Sequence, residues 1–572
     1  MINSDKNAAY TKILSLFPKK FKKKSLIFIF LSIFASFLET LSIGLIFPLI
    51  DVLIKGDFSK NYFGIDFDNF FSFFEGNSVT INLILFILFF YLFKCVFLIF
   101  FNYWQLKFSQ SIYKYLSLKL LKKYLNNSIS FYHKNNSSVL IRNVMFETKN
   151  YGTSISIIFK LIIEIFIILL VFGLVIYLEP KISLSIILIL GFFVLFFYFL
   201  TSKRIYFFGN EKILNVEKAI KIVSETFGGI RDIKLKASEN YFFELFKNFL
   251  GRFVKVSNYQ QAITDAPKIL FEFLLVATFL ISLVLYLRTN SDITEFLSII
   301  GLYIVASLRL VPAVMRILNM LQTIRGLEPS INMLNNELNY EDEISSSKIL
   351  SNNEEVNFKS KIEFDNLTFS YNLKNVIFEN FSEIIKKNEI TGISGKSGAG
   401  KSTLVDLLTG LLRPTKGKII IDNKFELGNS SIKSWQKRIG YVSQSVFLLD
   451  ATIRENIAFG VDKNKINENK IIDALNDAEI YNFVLNLDNK LDTVVGERGV
   501  KLSGGQIQRI GIARELYRNP ELIIFDESTS ALDEKTENQI IECIKKLKGK
   551  ITTVIISHRD NMLKICDKII RI

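Results

Sequence analysis

Three short segments near the end of the chain combine glycines, a lysine and carboxylates at spacings suited to phosphate chemistry. The run GKSGAGKST holds Gly395, Gly400, Lys401 and Ser402 in the order G-x-x-x-x-G-K-[ST], with Ser397, Gly398 and Thr403 inside it. It follows the apolar EITGIS and opens the amphipathic STLVDLLTGLL, so it reads as strand, loop and helix. In that setting glycines let backbone N–H groups curl around phosphates, and the helix N-terminus adds its positive end. Lys401 is then placed to reach the terminal phosphates of ATP, and the Ser402 hydroxyl to take a position on Mg²⁺. The run LSGGQ puts Ser503, Gly504, Gly505 and Gln506 at the head of a second helix, a second anion-binding surface. In LIIFDE, Asp526 and Glu527 end a buried strand. An aspartate there can hold Mg²⁺ through water, and a glutamate beside it can orient or deprotonate an attacking water. Two phosphate-binding elements so far apart in one chain suggest that ATP lies between two copies.

In this order, and followed by STSALD and IISH, these residues resemble the nucleotide-binding domain of ATP-binding cassette (ABC) proteins over about 360–572. The resemblance implies further roles. Tyr371 matches the aromatic that stacks on adenine, and Gln444, in YVSQS, the loop glutamine that senses Mg²⁺ and the membrane domain. Asp533, in SALD, matches the aspartate that communicates across the dimer, and His558 the switch histidine that contacts the γ-phosphate. Catalysis thus falls to Glu527, His558 and Gln444, and the metal to Ser402, Gln444 and Asp526. VVGERG (494–499) resembles the exporter form, and no catalytic position departs from the family pattern, so both sites of a homodimer are expected to hydrolyse ATP. The segments around 130–144 and 227–239 resemble the exporter loops whose coupling helices dock on the ATPase domain. His133 itself reads as a polar surface residue.

The elements that must position these residues divide the chain in two. Of 572 residues 49% are hydrophobic and 22% charged, with mean hydropathy +0.30, so charges and apolar runs occupy different places. A single soluble domain and a disordered chain are both excluded. Three cysteines without CxxC spacing and two histidines exclude a disulfide scaffold, a zinc site and most His-based metal chemistry. After the basic cluster Lys19, Lys20, Lys22, Lys23 and Lys24, an apolar run continues too far for a cleaved signal and reads as a retained membrane helix. Six spans are expected, at about 25–54, 81–104, 153–177, 181–201, 268–287 and 294–322. The long basic connections 105–152 and 202–267 place the N-terminus and the ATPase domain on the cytoplasmic side of a bacterial inner membrane. The aromatic FDNFFSFFEG (67–76) reads either as an interfacial helix or as a loop packed on the bundle. Residues 1–327 are thus read as a polytopic helical membrane domain, 328–360 as a polar linker, and 361–572 as an α/β P-loop ATPase domain with no extension beyond it.

Charges at membrane depth ask for a function or a partner. They are Glu39, Lys94, Glu164, Glu272, Arg309 and Arg316. Arg309 and Arg316 share one face of the last span and make a basic cavity wall for an anionic substrate; interhelical pairing is the other reading. FLETLSIGLIFPLI, Lys94 and LRLVPAVMRI resemble the bacterial flippases of lipid-linked oligosaccharides used in protein N-glycosylation. That resemblance implies a homodimeric, bilayer-embedded flippase for a phosphate-bearing lipid, with Lys94, Arg309 and Arg316 facing it. A peptide or drug exporter stays open, although no Cys/His peptidase segment precedes the first span. The six spans argue against an ABC ATPase acting on nucleic acid, and a membrane ATPase that only regulates a partner is the third class.

Overall fold

Long apolar stretches become helices because a backbone surrounded by lipid must satisfy its own hydrogen bonds, whereas the alternating segments after residue 360 pair as strands. The computed structural model describes residues 8–45, 79–178, 180–289, 293–340, 355–372, 375–428, 431–527 and 533–572. The expected segment 67–76, the end of the first span, residues 341–354 of the linker and Ser528–Leu532 lie outside them, as does the side chain of Arg309.

The chain divides into two units, one of residues 1–126 with 134–340 and one of 127–133 with 341–572. The first is helical throughout its described residues. Helix α1 (Ala8–Leu16) leads through a short 3₁₀ turn into α2 (Lys22–Gly44). Four helices of 47 to 51 residues follow: α3 (Val79–Leu125), α7 (Pro180–Gly228), α9 (Glu239–Thr289) and α10 (Ile293–Asn339). At 1.5 Å per residue each is roughly 70 Å long, more than twice the hydrocarbon thickness, so each continues well past a bilayer. Between α3 and α7 come α4 (Ile129–Lys134), α5 (Ser137–Arg142), a π-helical turn and α6 (Thr148–Leu178); α8 (Ile230–Leu235) joins α7 to α9. Among the described residues, four stretches are long and apolar enough to cross a membrane: Lys19–Ser42, Ile84–Leu125, Ser137–Leu170 and Gly191–Gly228. The expected spans 268–287 and 294–322 fall on α9 and α10, where many side chains lie outside the description.

Small residues permit a close helix approach. A Cβ on Gly209 of α7 would stand 2.2 Å from the carbonyl oxygen of Gly326 on α10, so only glycine permits that crossing. One boundary moves. Residues 328–339, read from their polarity and Pro329 as linker, are the end of α10. Pro329 costs the helix one backbone bond, and burial of Ile331 and Leu334 on the helix's packed face offsets it.

The second unit builds its core around two sheets. An antiparallel sheet runs β2 (Asn375–Lys386), β1 (Lys361–Asn372), β4 (Lys416–Ile421), β5 (Phe425–Glu426). A parallel sheet has the order β6 (Ile439–Val442), β7 (Leu522–Asp526), β8 (Thr552–Ile556), β3 (Ile390–Ser394), β9 (Lys568–Arg571). Strands β7 (LIIFD) and β8 (TTVII) are buried almost throughout because both faces are covered. Helix α11 (Lys401–Leu408) packs Leu404, Leu407 and Leu408 into this core, and Ile129 of α4 packs against the same cluster. Fully buried Trp435 locks the end of α11 by donating its indole N–H to the Leu408 carbonyl at 2.8 Å.

Candidate functional site

Parallel strands put their following loops on one edge, and the strand order decides which loops meet. Reading β6, β7, β8, β3, those loops carry Gln444, then Asp526 and Glu527, then His558, then the glycine loop 395–400. Four segments far apart in the chain are thereby gathered into one site.

The glycine loop leaves β3 and enters α11 through Gly398 and Gly400, at φ of 82° and 97°, a left-handed backbone that favours glycine. A Cβ on Gly400 would also stand 2.6 Å from the Ile377 side chain. No side chain caps the start of α11, so its first N–H groups stay available to an anion. Lys401, almost fully buried, folds back over the loop. Its Nζ donates to the carbonyls of Gly395 at 2.9 Å and Lys396 at 3.2 Å and lies 2.7 Å from His558 Nε2. Ser402 is exposed beside it, and Thr403 Oγ1 lies 3.3 Å from the Tyr371 hydroxyl. The Tyr371 ring is 49% exposed and meets Phe369 edge to face, which leaves a ring face for a base to stack on.

Glu527 sits at the hub. Gln444 Nε2 donates to its Oε2 at 3.2 Å, and His558 Nε2 lies 3.2 Å from its Oε1. Its own backbone has φ of 45°, a left-handed conformation uncommon outside glycine. The Glu527 N–H bonds the Ile556 carbonyl at 3.0 Å, so the neighbouring strand helps hold that geometry. Asp526 accepts a 2.8 Å bond from the Tyr441 hydroxyl. Burial, aided by the adjacent Glu527 charge, raises the Asp526 carboxyl above the ordinary aspartate range against the lowering effect of Tyr441. These donors suit a nucleotide with its metal: open N–H groups, a cation at the loop mouth, and Ser402, Gln444 and Asp526 on the same edge.

A second cluster stands apart. Ser503 and Gln506 cap α16 (Gly504–Leu516) reciprocally: Ser503 Oγ accepts from the Gln506 N–H, and Gln506 Oε1 from the Ser503 N–H. Here α12 (Ile432–Gln436), α13 (Ile453–Ile457), α14 (Glu468–Asp477) and α15 (Tyr481–Leu485) precede it, and α17 (Glu534–Leu547) follows. Asp533 caps α17, accepting from the Thr536 hydroxyl at 2.7 Å and its N–H at 3.2 Å, contacts that hold its carboxyl below the usual range. A Cβ on Gly505 would reach 2.5 Å from Thr536 Cγ2, so glycine lets α16 begin against α17. Among the described residues, no hydrogen bond or ion pair joins 503–506 to the glycine loop.

Two participants escaped the sequence reading. Gln508 donates to the Gln444 carbonyl at 2.7 Å and so ties the LSGGQ helix to the glutamine loop; its place two residues after that motif was a usable signal. Tyr441 opens the YVSQS segment, but nothing in the sequence pointed to its bond with Asp526. His133 is exposed, as expected, but its charge also acts on Asp406 of α11, lowering a carboxyl that burial raises. Of the membrane residues, Lys94 donates to Ser42 Oγ at 2.8 Å and lies 5.1 Å from the Tyr91 ring. Arg316 makes a two-pronged bond to Glu164, at 2.6 and 3.0 Å, so the interhelical pairing left open in the sequence is realised at this arginine. It also lines a cavity of about 330 Å³ with Lys268, Thr264 and Asn319, together with Pro267 of α9 and Pro312 of α10.

The comparisons with known proteins agree with this architecture. Residues 25–307 match the family described as ABC transporter transmembrane region, and residues 378–530 match that described as ABC transporter. A solved bacterial Atm1-family ABC exporter with ATP bound aligns at a TM-score of 0.75 and 19% identity, over 99% of this chain and 94% of that one. This chain has the ABC exporter fold: a transmembrane domain fused to a C-terminal ABC ATPase domain. An ABC transporter B family member of Arabidopsis thaliana is 41% identical over 213 residues, 37% of this chain and 17% of that protein. An ATP-dependent lipid A-core flippase of Syntrophus aciditrophicus is 38% identical over 210 residues, 37% and 34% of the two chains. An uncharacterized ABC transporter ATP-binding protein of Sinorhizobium fredii is 31% identical over 366 residues, 63% and 60%. The matches thus span from 17% to 60% of these relatives' lengths.

The loop geometry of the ABC ATPase domain gives a direct expectation. Gly400→Ala adds a Cβ against Ile377 and strains a left-handed residue, and should weaken binding of a fluorescent ATP analogue by about tenfold or more. Far-ultraviolet circular dichroism of the same sample should remain that of the parent chain.

Proposed function

We propose that the chain is one half of an ATP-driven ABC exporter that works as a homodimer in the bacterial cytoplasmic membrane, with its N-terminus and ATPase domain on the cytoplasmic side. The observation that carries this reading is the convergence of Gln444 and His558 on the Glu527 carboxylate beside Lys401. In it Glu527 accepts the proton of a water attacking the γ-phosphorus, and the two neighbours orient its oxygens. Lys401 holds positive charge at the loop mouth and exchanges its two carbonyl contacts for phosphate oxygens as ATP binds. Ser402, Gln444 and Asp526 would hold Mg²⁺, which would neutralise phosphate charge. Tyr371 stacks on the base. Ser503, Gly504, Gly505 and Gln506 of a second copy close over the triphosphate, with Asp533 beside them, because their own chain's glycine loop lies elsewhere. Closure of the two ATPase domains then drives alternating access in the helices.

The cargo in this proposal is an amphiphile with a phosphate-bearing head, such as a lipid-linked glycan. Support comes from the Arg316 and Lys268 side chains at one cavity and from the lipid in the Syntrophus relative's name. A guanidinium held by one carboxylate keeps donors for phosphate oxygens.

Glu527→Gln tests the hydrolytic half. It should keep ATP binding within about threefold while lowering turnover by ~10²-fold or more, as measured by phosphate release from the full chain in nanodiscs. Near-normal turnover would remove Glu527 from the role. For the cargo, Arg316→Gln should reduce flipping of a fluorescent pyrophosphate lipid about tenfold in proteoliposomes, with basal ATPase within about twofold. The exchanged pair Arg316→Glu with Glu164→Arg separates the readings. Full rescue of flipping by the swap makes the arginine a structural partner only, and failure of rescue keeps it on the cargo.

A further inference from the structure

The approach to the first long helix carries a surface that the transport reading does not use. Lys19, Lys20, Lys22, Lys23 and Lys24 are all exposed, and none of them has an ion pair among the described residues. They do not trail on a loose end. Phe21, in their midst, is buried and packs edge to face on Phe108 and Tyr115 of α3, with ring centroids 5.8 and 5.9 Å away. Two turns on, fully buried Phe28 stacks on Trp104 at 5.3 Å, which holds the helix face. Outward from the same stretch, Leu26, Ile27 and Phe30 are 67%, 55% and 69% exposed, an apolar surface directly adjoining the lysines.

No carboxylate opposes this charge in sequence. Asp and Glu are absent from residues 6–38 and again from 76–146, which include all of α2 before Glu39 and all of α3. Membrane orientation depends on Lys and Arg and hardly on acids, so topology alone does not ask for that absence. A cationic cluster beside exposed apolar side chains at the end of a membrane helix is complementary to one chemistry, a lipid with acyl chains and a negative head. Lysine is a compact point charge without a fixed fork, so the surface selects by charge rather than by headgroup shape.

We propose that these five lysines bind the headgroups of anionic phospholipids in the leaflet where α2 begins, enriching them around α2 and α3 over zwitterionic lipid. The proposal rests on the membrane fold and not on the transport reading, so either can fail alone.

The chain carries its own reporter. Of its two tryptophans, Trp104 lies on Phe28, and Trp435 is fully buried in the ATPase core as a constant background. The full chain is placed in phosphatidylcholine nanodiscs containing equal mole fractions of brominated phosphatidylglycerol or brominated phosphatidylcholine. Tryptophan quenching should be about twofold greater with the anionic lipid at low salt, and the difference should vanish near 0.5 M NaCl, where the Debye length falls to a few ångströms. Replacing all five lysines with Gln should equalise the two lipids, and replacing them with Arg should keep the preference. Equal quenching of the unaltered chain at low salt overturns the proposal, as does a preference that survives in the Gln chain. The unaltered chain's salt series decides by itself even where the Gln chain fails to insert.

Discussion

The chemistry of this chain depends on the order of four parallel strands. Because β8 lies between β7 and β3, the loops after all three open onto one edge, and β6 adds the glutamine loop at the side. Backbone ladder bonds set that order, and burial of Ile523, Ile524, Val554, Ile555 and Ile393 makes any register slip costly, since a slip would break close packing on both covered faces. Lys401, Glu527, Gln444 and His558 then meet within hydrogen-bonding distance although 157 positions separate the first from the last. The strained backbone of Glu527 is tolerated for the same reason: the adjacent strand supplies a carbonyl to its N–H, and the fold over-determines the residue.

A second constraint works against completeness of the site in one chain. The Ser503–Gln506 turn is a finished N-cap, and Gly505 fits it closely against Thr536, which also holds Asp533. Ser503, Gly505 and Asp533 are therefore tied together on α16 and α17 and not on the phosphate loop. Such a preformed anion-binding surface without its own loop opposite is what a two-fold dimer would use twice, each copy completing the other.

Much of this was legible beforehand, because the phosphate motifs combine unusual residue types with a strand and a helix at fixed offsets. Gly395–Thr403 could be read as a loop entering a helix, and LIIFD as a buried strand, from local pattern alone. What could not be read was anything that depends on which strands become neighbours. Tyr441 reaches Asp526 across the sheet, and Gln508 reaches the Gln444 carbonyl from α16; the partner of each is set by the strand order and not by local pattern. The end of α10 was misjudged because polar residues and Pro329 imitate a linker, while its burial comes from helices distant in sequence. Arg316 shows the same limit. Spacing placed it on a face with Arg309, but only tertiary packing brings Glu164 to it.

The shared site is the claim on which the rest of the functional account stands, and purified heterodimers test it most directly. Lys401→Ala is placed in one copy and Ser503→Ala in the other, and ATP turnover is compared with that of a dimer carrying both changes in a single copy. If each site is built from the glycine loop of one copy and the LSGGQ turn of the other, the first arrangement concentrates both lesions in one site and keeps about half the activity. The second damages both sites and should leave almost none. The reverse result, activity retained only when both changes sit in the same copy, would show each chain closing its own site and contradict the account.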